Sequence, residues 1–75
     1  MKKALQIEYE PERDRLTLDG WDIHCGQPLE VLLPDQLNGG TWREISIEYS
    51  YAKGWYIPGH QEVNPIGLWA REREV

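Results

Sequence analysis

The feature that most constrains this chain is a period-two alternation of apolar and polar residues in short segments that end at turn residues. In LQIEYE, Leu5, Ile7 and Tyr9 share one face of an extended strand, and the residues between them share the other. RLTL, LEVLL and TWREISIEYSY repeat the pattern. No stretch combines a helical period with capping residues. The sequence therefore predicts an all-β fold.

Turn signals separate these segments. PERD at 11–14 and Asp19–Gly20 predict turns, and PDQLNGG at 34–40 predicts a loop. The side chains predicted to face inward beyond the first strand are Leu16, Leu18, Leu29, Val31, Leu33, Ile45, Ile47 and Tyr49. The C-terminal IGLWAREREV fits either a last strand or a short helix. Five or six short, mostly antiparallel strands in one domain over 1–75 predict a small barrel or a strongly bent sheet.

Composition narrows the possible functions. The net charge of −5 disfavours direct binding to nucleic acids or anionic membranes, and it fits either a basic partner or simple solubility. One cysteine allows no internal disulfide, which favours a reducing cytoplasm. The N-terminus lacks the apolar run of a signal peptide, and no segment approaches the roughly 20 apolar residues of a membrane span.

The adjacent His24 and Cys25 have three interpretations. As a nucleophile, Cys25 would need a base in reach, but neighbouring residues on an extended strand point to opposite faces. As zinc ligands, the pair has only His60 and Asp22 as further candidates, without paired cysteines. We favour an architectural role in which Cys25 is buried, His24 bonds the backbone of a turn, and Gly26 supplies conformational freedom.

Four glutamates on the outward positions of two strands predict an acidic face. They are Glu8, Glu10, Glu44 and Glu48, with Glu12 and Asp14 in the first turn. If the two strands lie close together, the carboxylates form one surface. That surface is either a solvated polar face or a mimic of a nucleic-acid phosphate backbone that pairs with lysines and arginines of a partner.

The four tryptophans cannot all be central in a chain of 75 residues. One or two are expected at the surface as contact residues, with Trp42 and Trp55 as candidates. No carboxylate pair or glycine-rich loop has a pocket-forming context, and a domain this small has little room for a cleft of about 300 Å³ or more. We therefore expect no catalytic residues, no metal and no cofactor.

The run Asp14–Leu33 resembles the first half of an SH3-like barrel, in which a strand leads into a diverging turn before the next strand opens at Leu29–Leu32. The resemblance implies the barrel. It does not imply polyproline binding, because the paired tyrosines of the first strand in SH3 domains are missing from ALQIEYE.

The chain more closely resembles a family of short bacterial and mobile-element proteins of unknown function. The shared core is Asp19–Leu32, which contains the HCG and LEVL elements, and further shared residues follow it in the chain. These are Trp42, Ile47–Tyr49, Trp55, Tyr56, Gly67 and Leu68. The resemblance implies no particular activity.

Together these observations predict a non-enzymatic protein-interaction module. The leading hypothesis is a phage or mobile-element inhibitor, similar to anti-CRISPR proteins, that blocks a host nucleic-acid-binding complex by mimicry or steric occlusion. Glu8, Glu10, Glu44 and Glu48 would face a basic partner, and Trp42 or Trp55 would anchor it. The alternative is a scaffold or regulatory module that binds a peptide along an edge strand.

Overall fold

Short strands make up the regular structure of the chain. A computed structural model describes residues 3–34 and 39–73, and within these ranges it contains no helix, and so no helix that could span a membrane. The strands in the described residues are β1 Leu5–Gln6, β2 Glu8–Glu10, β3 Arg15–Leu18, β4 Trp21–Asp22, β5 Pro28–Leu33, β6 Thr41–Ser46, β7 Glu48–Ser50, β8 Gly54–Tyr56 and β9 Trp69–Glu72. The all-β prediction is confirmed.

The strands pair in three antiparallel sheets. One sheet has the order β1-β9-β5-β6, the second β2-β3-β4, and the third β7-β8. The longest ladder joins β5 to β6 over six residue pairs, from Pro28 opposite Ser46 to Leu33 opposite Thr41. The prediction of antiparallel pairing is confirmed. The three sheets of the described residues do not form a closed barrel, and the SH3-like arrangement stays a prediction.

Two of the predicted strands are each split in two at a buried isoleucine. At Ile7, the backbone N–H donates to the Leu68 carbonyl, after which the chain leaves β9 and pairs with β3. At Ile47, the carbonyl accepts a hydrogen bond from the Gly26 N–H between β6 and β7. Because of each bend, one extended segment forms strands in two different sheets. Five or six strands were predicted; with the C-terminal strand counted as the sixth, the two bends add two more, and β4, which was not predicted, is the ninth strand of the described residues.

The core forms where the three sheets meet. Its buried apolar side chains are Ile7, Leu16, Leu18, Ile23, Leu29, Val31, Leu33, Ile47, Ile57 and Ala70. Strands β3 and β5 confirm the predicted alternation. Tyr9 and Tyr49, in contrast, were predicted to face inward and are exposed at the surface. Each lies just beyond a bend, where the alternation no longer points the side chain at the core.

The remaining local predictions concern turns and the C-terminus. Residues 11–14 form a turn, and Asp19 and Gly20 form the tight turn between β3 and β4, with φ of 54° and 81°. Positive φ angles at both residues suit the type I′ turn, which Asp-Gly favours. Part of the predicted loop, 35–38, lies outside the described residues. At the C-terminus, β9 makes the strand alternative correct and the helix alternative wrong.

Candidate functional site

The four glutamates of the predicted acidic face lie on three different sheets. Glu8 and Glu10 belong to β2, Glu44 to β6, and Glu48 to β7. The acidic face was predicted to form only if the first and fourth predicted strands lay side by side. In the structure, β2 pairs with β3 whereas β6 pairs with β5. The carboxylates are thus not carried by one continuous sheet.

Basic or polar neighbours already engage three of these carboxylates. Arg13 Nε donates to Glu10 at 2.5 Å, and Arg73 Nε lies 3.1 Å from Glu44. Glu48 accepts a hydrogen bond from the Ser46 hydroxyl at 3.2 Å. Glu8 is exposed and forms no ion pair within the described part of the chain. A carboxylate paired inside the fold is less available to a partner, which weakens the mimicry interpretation.

Trp42 and Trp55, the predicted anchors, are half-buried and packed within the fold. The guanidinium of Arg71 lies 4.0 Å from the centre of the Trp42 ring, and its Nε donates to Glu30 at 2.7 Å. Neither ring is fully exposed, and the role of Trp42 and Trp55 as anchors for a partner stays a prediction. These rings stabilise the protein's own charged side chains through cation–π contact.

Cys25 was predicted to be buried and is exposed, so that part of the architectural interpretation is wrong. The His24 ring also does not bond the backbone as predicted; its Nδ1 lies 3.4 Å from Nη2 of Arg15. The turn is instead closed by His24 main-chain atoms and Gln27, whose N–H donates to the His24 carbonyl at 3.0 Å. Gly26 has a φ of 78°, which confirms the predicted need for glycine.

Four residues form a hydrogen-bonded group at the first turn, which we call the Asp14 cluster: Tyr9, Asp14, Tyr49 and Trp55. The Tyr9 hydroxyl donates to the Asp14 carboxylate at 2.7 Å, and the Trp55 indole N–H donates to the Asp14 carbonyl at 3.2 Å. Asp14 also raises the pKa of Tyr49, whose ring meets Trp55 edge-on at 5.1 Å. This cluster holds Asp14 in a left-handed conformation with a φ of 52°.

The Asp14 cluster affects the ionisation of its tyrosines. The hydrogen bond to Asp14 is the main cause that raises the pKa of Tyr9 and of Tyr49, and burial and the Asp14 charge act in the same direction. Beside the cluster, the hydrogen bonds from Arg13 lower the pKa of Asp22. Arg13 binds that carboxylate with both terminal nitrogens, at 3.1 and 2.9 Å. Most polar groups of this region therefore pair with one another, and the exception is the buried Nε of Arg15, which has no hydrogen-bond partner.

A second aromatic region has the opposite character, and we call it the Trp21–Trp69 groove. It consists of two adjoining cavities of about 700 and 190 Å³ that share Leu5 and Asp19. Its exposed apolar walls are Tyr9, Trp21, Ile66 and Trp69, of which Trp21 is 76% exposed and Trp69 46% exposed. The sequence had predicted too little room for such a cleft.

Acidic side chains predominate in the Trp21–Trp69 groove. Glu8, Asp19 and Glu72 line it, and Lys3 lies at the end near Trp21. In the described residues, neither Glu8 nor Asp19 has an ion-pair or hydrogen-bond partner. An aromatic wall beside an unpaired carboxylate is a suitable environment for a cationic group, because the ring face and the carboxylate both attract positive charge.

The potential metal ligands of the described residues are dispersed, and Cys25 lines a cavity. Across the described ranges, no three His, Cys, Asp or Glu side chains come together as metal ligands. Cys25 does line a small cavity of about 230 Å³ with Arg13, Arg15 and Trp55. The Arg13 guanidinium in that cavity is already bound to Glu10 and Asp22.

Sequence reasoning missed Trp21, Trp69 and Asp19 as site residues. One available signal was the position of Trp21 directly after the Asp19–Gly20 turn, because a bulky residue at a hairpin tip has few neighbours to cover it. Trp69 alternates with the buried Ala70 on β9, which places it on the opposite face. Nothing in the local pattern showed that Trp42 has an arginine over its ring.

Comparison with known proteins places the chain in a family. No curated protein and no solved structure matches it significantly. The family model of a domain of unknown function, DUF5348, matches residues 5–71, which include β1–β8 and most of β9. The chain therefore belongs to the DUF5348 family, in agreement with its resemblance to a family of unknown function.

Proposed function

We propose that the protein is a non-enzymatic interaction module that binds a basic protein surface through the Trp21–Trp69 groove. The observation that supports the proposal is the exposure of Trp21 and Trp69 beside carboxylates without partners in the described residues. Large exposed aromatic groups are costly to leave in water, and tryptophan is enriched among the residues that dominate binding energy at interfaces. The net charge of −5 favours a basic partner over an acidic one.

The target class within this proposal is a host nucleic-acid-binding complex, which the module would inhibit as anti-CRISPR proteins do. A nucleic-acid-binding groove is basic, so an acidic protein is attracted to it over a distance set by the ionic strength. Steric occlusion fits the molecule better than phosphate mimicry. Glu10 and Glu44 are already paired with Arg13 and Arg73, so they do not form a free array of negative charge.

The test compares two charge reversals of equal size. Glu8→Lys changes a residue in the Trp21–Trp69 groove, whereas Glu12→Lys changes an exposed residue in the turn outside it. Each variant and the wild-type protein is immobilised, and the bacterial proteins it captures are quantified by mass spectrometry. The captured protein is then purified, and its binding to duplex DNA and to RNA is measured with and without the module.

The proposal expects a nucleic-acid-binding protein that wild type and Glu12→Lys capture, that Glu8→Lys does not, and whose nucleic-acid binding is inhibited at a stoichiometric ratio. Equal capture by both variants would overturn the role of the groove. Capture without inhibition would overturn the inhibitory function. Circular dichroism checks that both variants are folded.

A second candidate function has one specific observation in its favour. Strand β6, Thr41–Ser46, is six residues long and lies at the edge of the four-stranded sheet. An edge strand of this length can pair with an extended peptide from a partner, as in β-augmentation. A symmetric pairing of two β6 strands is disfavoured, because it places Arg43 opposite Arg43 or Glu44 opposite Glu44 near its centre.

Ionic strength separates the two functions. A complex that depends on Glu8 and Asp19 should weaken steeply as salt is added, because screening reduces attraction between exposed charges. A complex formed by backbone pairing along β6 should change little. Affinities measured at low and high salt therefore favour the groove if the slope is steep, and the edge strand if it is flat.

A further inference from the structure

The protein contains arrangements of arginine, tryptophan and carboxylate that illustrate how an arginine can be held. Arg71 lies over the Trp42 ring at 4.0 Å while its Nε donates to Glu30 at 2.7 Å. Arg15 lies over the Trp55 ring at 5.7 Å, and its Nε is 3.9 Å from Asp22. Around Arg71 an indole face and a carboxylate contact the same guanidinium, whereas Arg15 has the indole face but its Nε makes no hydrogen bond to the nearby carboxylate.

The Trp21–Trp69 groove combines two of these three parts. Trp21 follows Asp19 by two residues across the hairpin turn, and both line the smaller cavity, which joins the larger one lined by Trp69. Among the described residues, no arginine lines either cavity, and Asp19 has no cationic partner. The groove therefore has an indole and a carboxylate available to a guanidinium from another molecule.

We propose that the Trp21–Trp69 groove binds an arginine side chain in an exposed segment of the basic partner, an inference that rests on the proposed function. A guanidinium suits the groove better than an ammonium group. It is planar, so it stacks on an indole, and at the same time it donates two hydrogen bonds to a carboxylate such as that of Asp19. Glu8 contributes a second negative charge in the larger cavity.

Lys3 gives the proposal a distinctive consequence. It lines the smaller cavity with Trp21 and Asp19, so its positive charge opposes an incoming guanidinium. Lys3→Gln should therefore raise the affinity for an arginine peptide, whereas removal of a binding group lowers it. A general loss of folding would lower the affinity in every variant and cannot produce this opposite sign.

The experiment uses an uncharged-end peptide of alternating glycine and arginine with three arginines, and two versions in which lysine or citrulline replaces arginine. Binding to the full chain is measured at low ionic strength by calorimetry and by the NMR shifts of the tryptophan indole N–H groups. We expect the arginine peptide to bind best and to shift the Trp21 and Trp69 signals. Citrulline keeps the shape without the charge and should not bind.

The variants test the groove directly. Asp19→Asn keeps a residue that tolerates the left-handed backbone and should lower the affinity about tenfold, by loss of a charge-assisted contact. Trp21→Ala should lower it about three- to thirtyfold, the range of a cation–π contact. The matched controls, Glu12→Gln and Tyr51→Ala, alter an exposed carboxylate and a fully exposed ring outside the groove and should bind as wild type.

Two results would overturn the arginine site. One is unchanged peptide binding by Asp19→Asn and Trp21→Ala, and the other is equal binding of the arginine and lysine peptides.

The failure of the proposed function is a different result. If the arginine peptide binds in the groove but Glu8→Lys captures the same bacterial proteins as wild type, the arginine site is supported and the proposed inhibitory function is contradicted. If capture depends on Glu8 but substitution of Asp19 and Trp21 does not change peptide binding, the proposed function is supported and the arginine site is contradicted.

Discussion

The Asp14 cluster and the Trp21–Trp69 groove use similar residues for opposite purposes. In the cluster, Tyr9 donates a hydrogen bond to the Asp14 carboxylate and Trp55 donates one to the Asp14 carbonyl, so Asp14 is engaged within the fold. In the groove, Trp21 and Trp69 are exposed beside Asp19, which has no partner in the described part of the chain. Aromatic and acidic residues therefore stabilise the protein in the cluster and are left available for binding in the groove, and Tyr9 belongs to both regions.

Both regions are built around an aspartate in a left-handed conformation, which makes them directly comparable. Asp14 has a φ of 52° and Asp19 a φ of 54°. Asp14 is held by Tyr9, five residues before it in β2, and by Trp55 of β8, which is 41 residues away. Asp19 is held by the Asp-Gly turn itself, which requires no distant side chain. The turn leaves the Asp19 carboxylate uncommitted.

The largest difference should be seen when a tryptophan is removed from each region. Trp55→Ala should lower the free energy of unfolding by about 3 kcal/mol, because a packed ring and its hydrogen bond to Asp14 are lost. Trp21→Ala should change it by about 0.5 kcal/mol or less, because the side chain is mostly exposed. Urea unfolding followed by circular dichroism measures both. Equal losses would mean that the two regions do not differ as described.

The two aspartates should differ by a smaller amount. Asp14→Asn should lower the free energy of unfolding by about 1 kcal/mol, because the tyrosine hydroxyls lose a charged acceptor. Asp19→Asn should be neutral to within about 0.5 kcal/mol, since asparagine tolerates the same backbone. Chemical denaturation of the paired variants checks this. The comparison would fail if Asp19→Asn were the more destabilising.

Local patterns were sufficient to predict much of the fold. The alternation in β3 and β5 identified their buried residues, and the Asp19–Gly20 turn was placed correctly. The bends at Ile7 and Ile47 were not predictable from alternation, because both residues occupy a buried position whether or not the strand continues. Without those bends, the pattern predicts long strands that could close a barrel.

The site was predicted less well, because it depends on which side chains meet across sheets. Nothing near Trp42 in sequence indicates that Arg71 lies over its ring, and nothing near Glu44 indicates its pairing with Arg73. These contacts join residues about thirty positions apart. Exposure of Trp21, by contrast, follows from its place after a tight turn and was in principle accessible from the sequence.

Alkaline titration tests whether the Asp14 cluster acts as a unit. The hydrogen bonds to Asp14 raise the pKa of Tyr9 and Tyr49 above the ordinary 10.0, because they favour the neutral phenols. This stabilisation is complete below pH 10 and is lost as the pH rises through the raised pKa values. In Asp14→Asn, the tyrosinate absorbance of these residues should rise at lower pH than in wild type. Superimposable titrations would show that Asp14 does not control the phenols.

The smallest expected effect concerns Asp22, whose pair with Arg13 lies beside the Asp14 cluster. The hydrogen bonds from Arg13 lower the pKa of Asp22 below its ordinary 3.8, although burial partly opposes them. A carboxylate with a lowered pKa contributes stability that is present above 3.8 and is lost as the pH falls through the lowered value. Arg13→Gln should raise the pKa of Asp22, measured by NMR of its carboxyl carbon, and should move acid unfolding to higher pH.

The control variant is Arg73→Gln, which removes an arginine paired with Glu44 instead. It should leave the Asp22 titration unchanged, since the two arginines have no common partner. If both variants raised the pKa of Asp22 equally, the effect would come from the change in net charge. A hydrogen bond to Asp22 is lost in Arg13→Gln and is not lost in Arg73→Gln, so an equal effect cannot come from that bond.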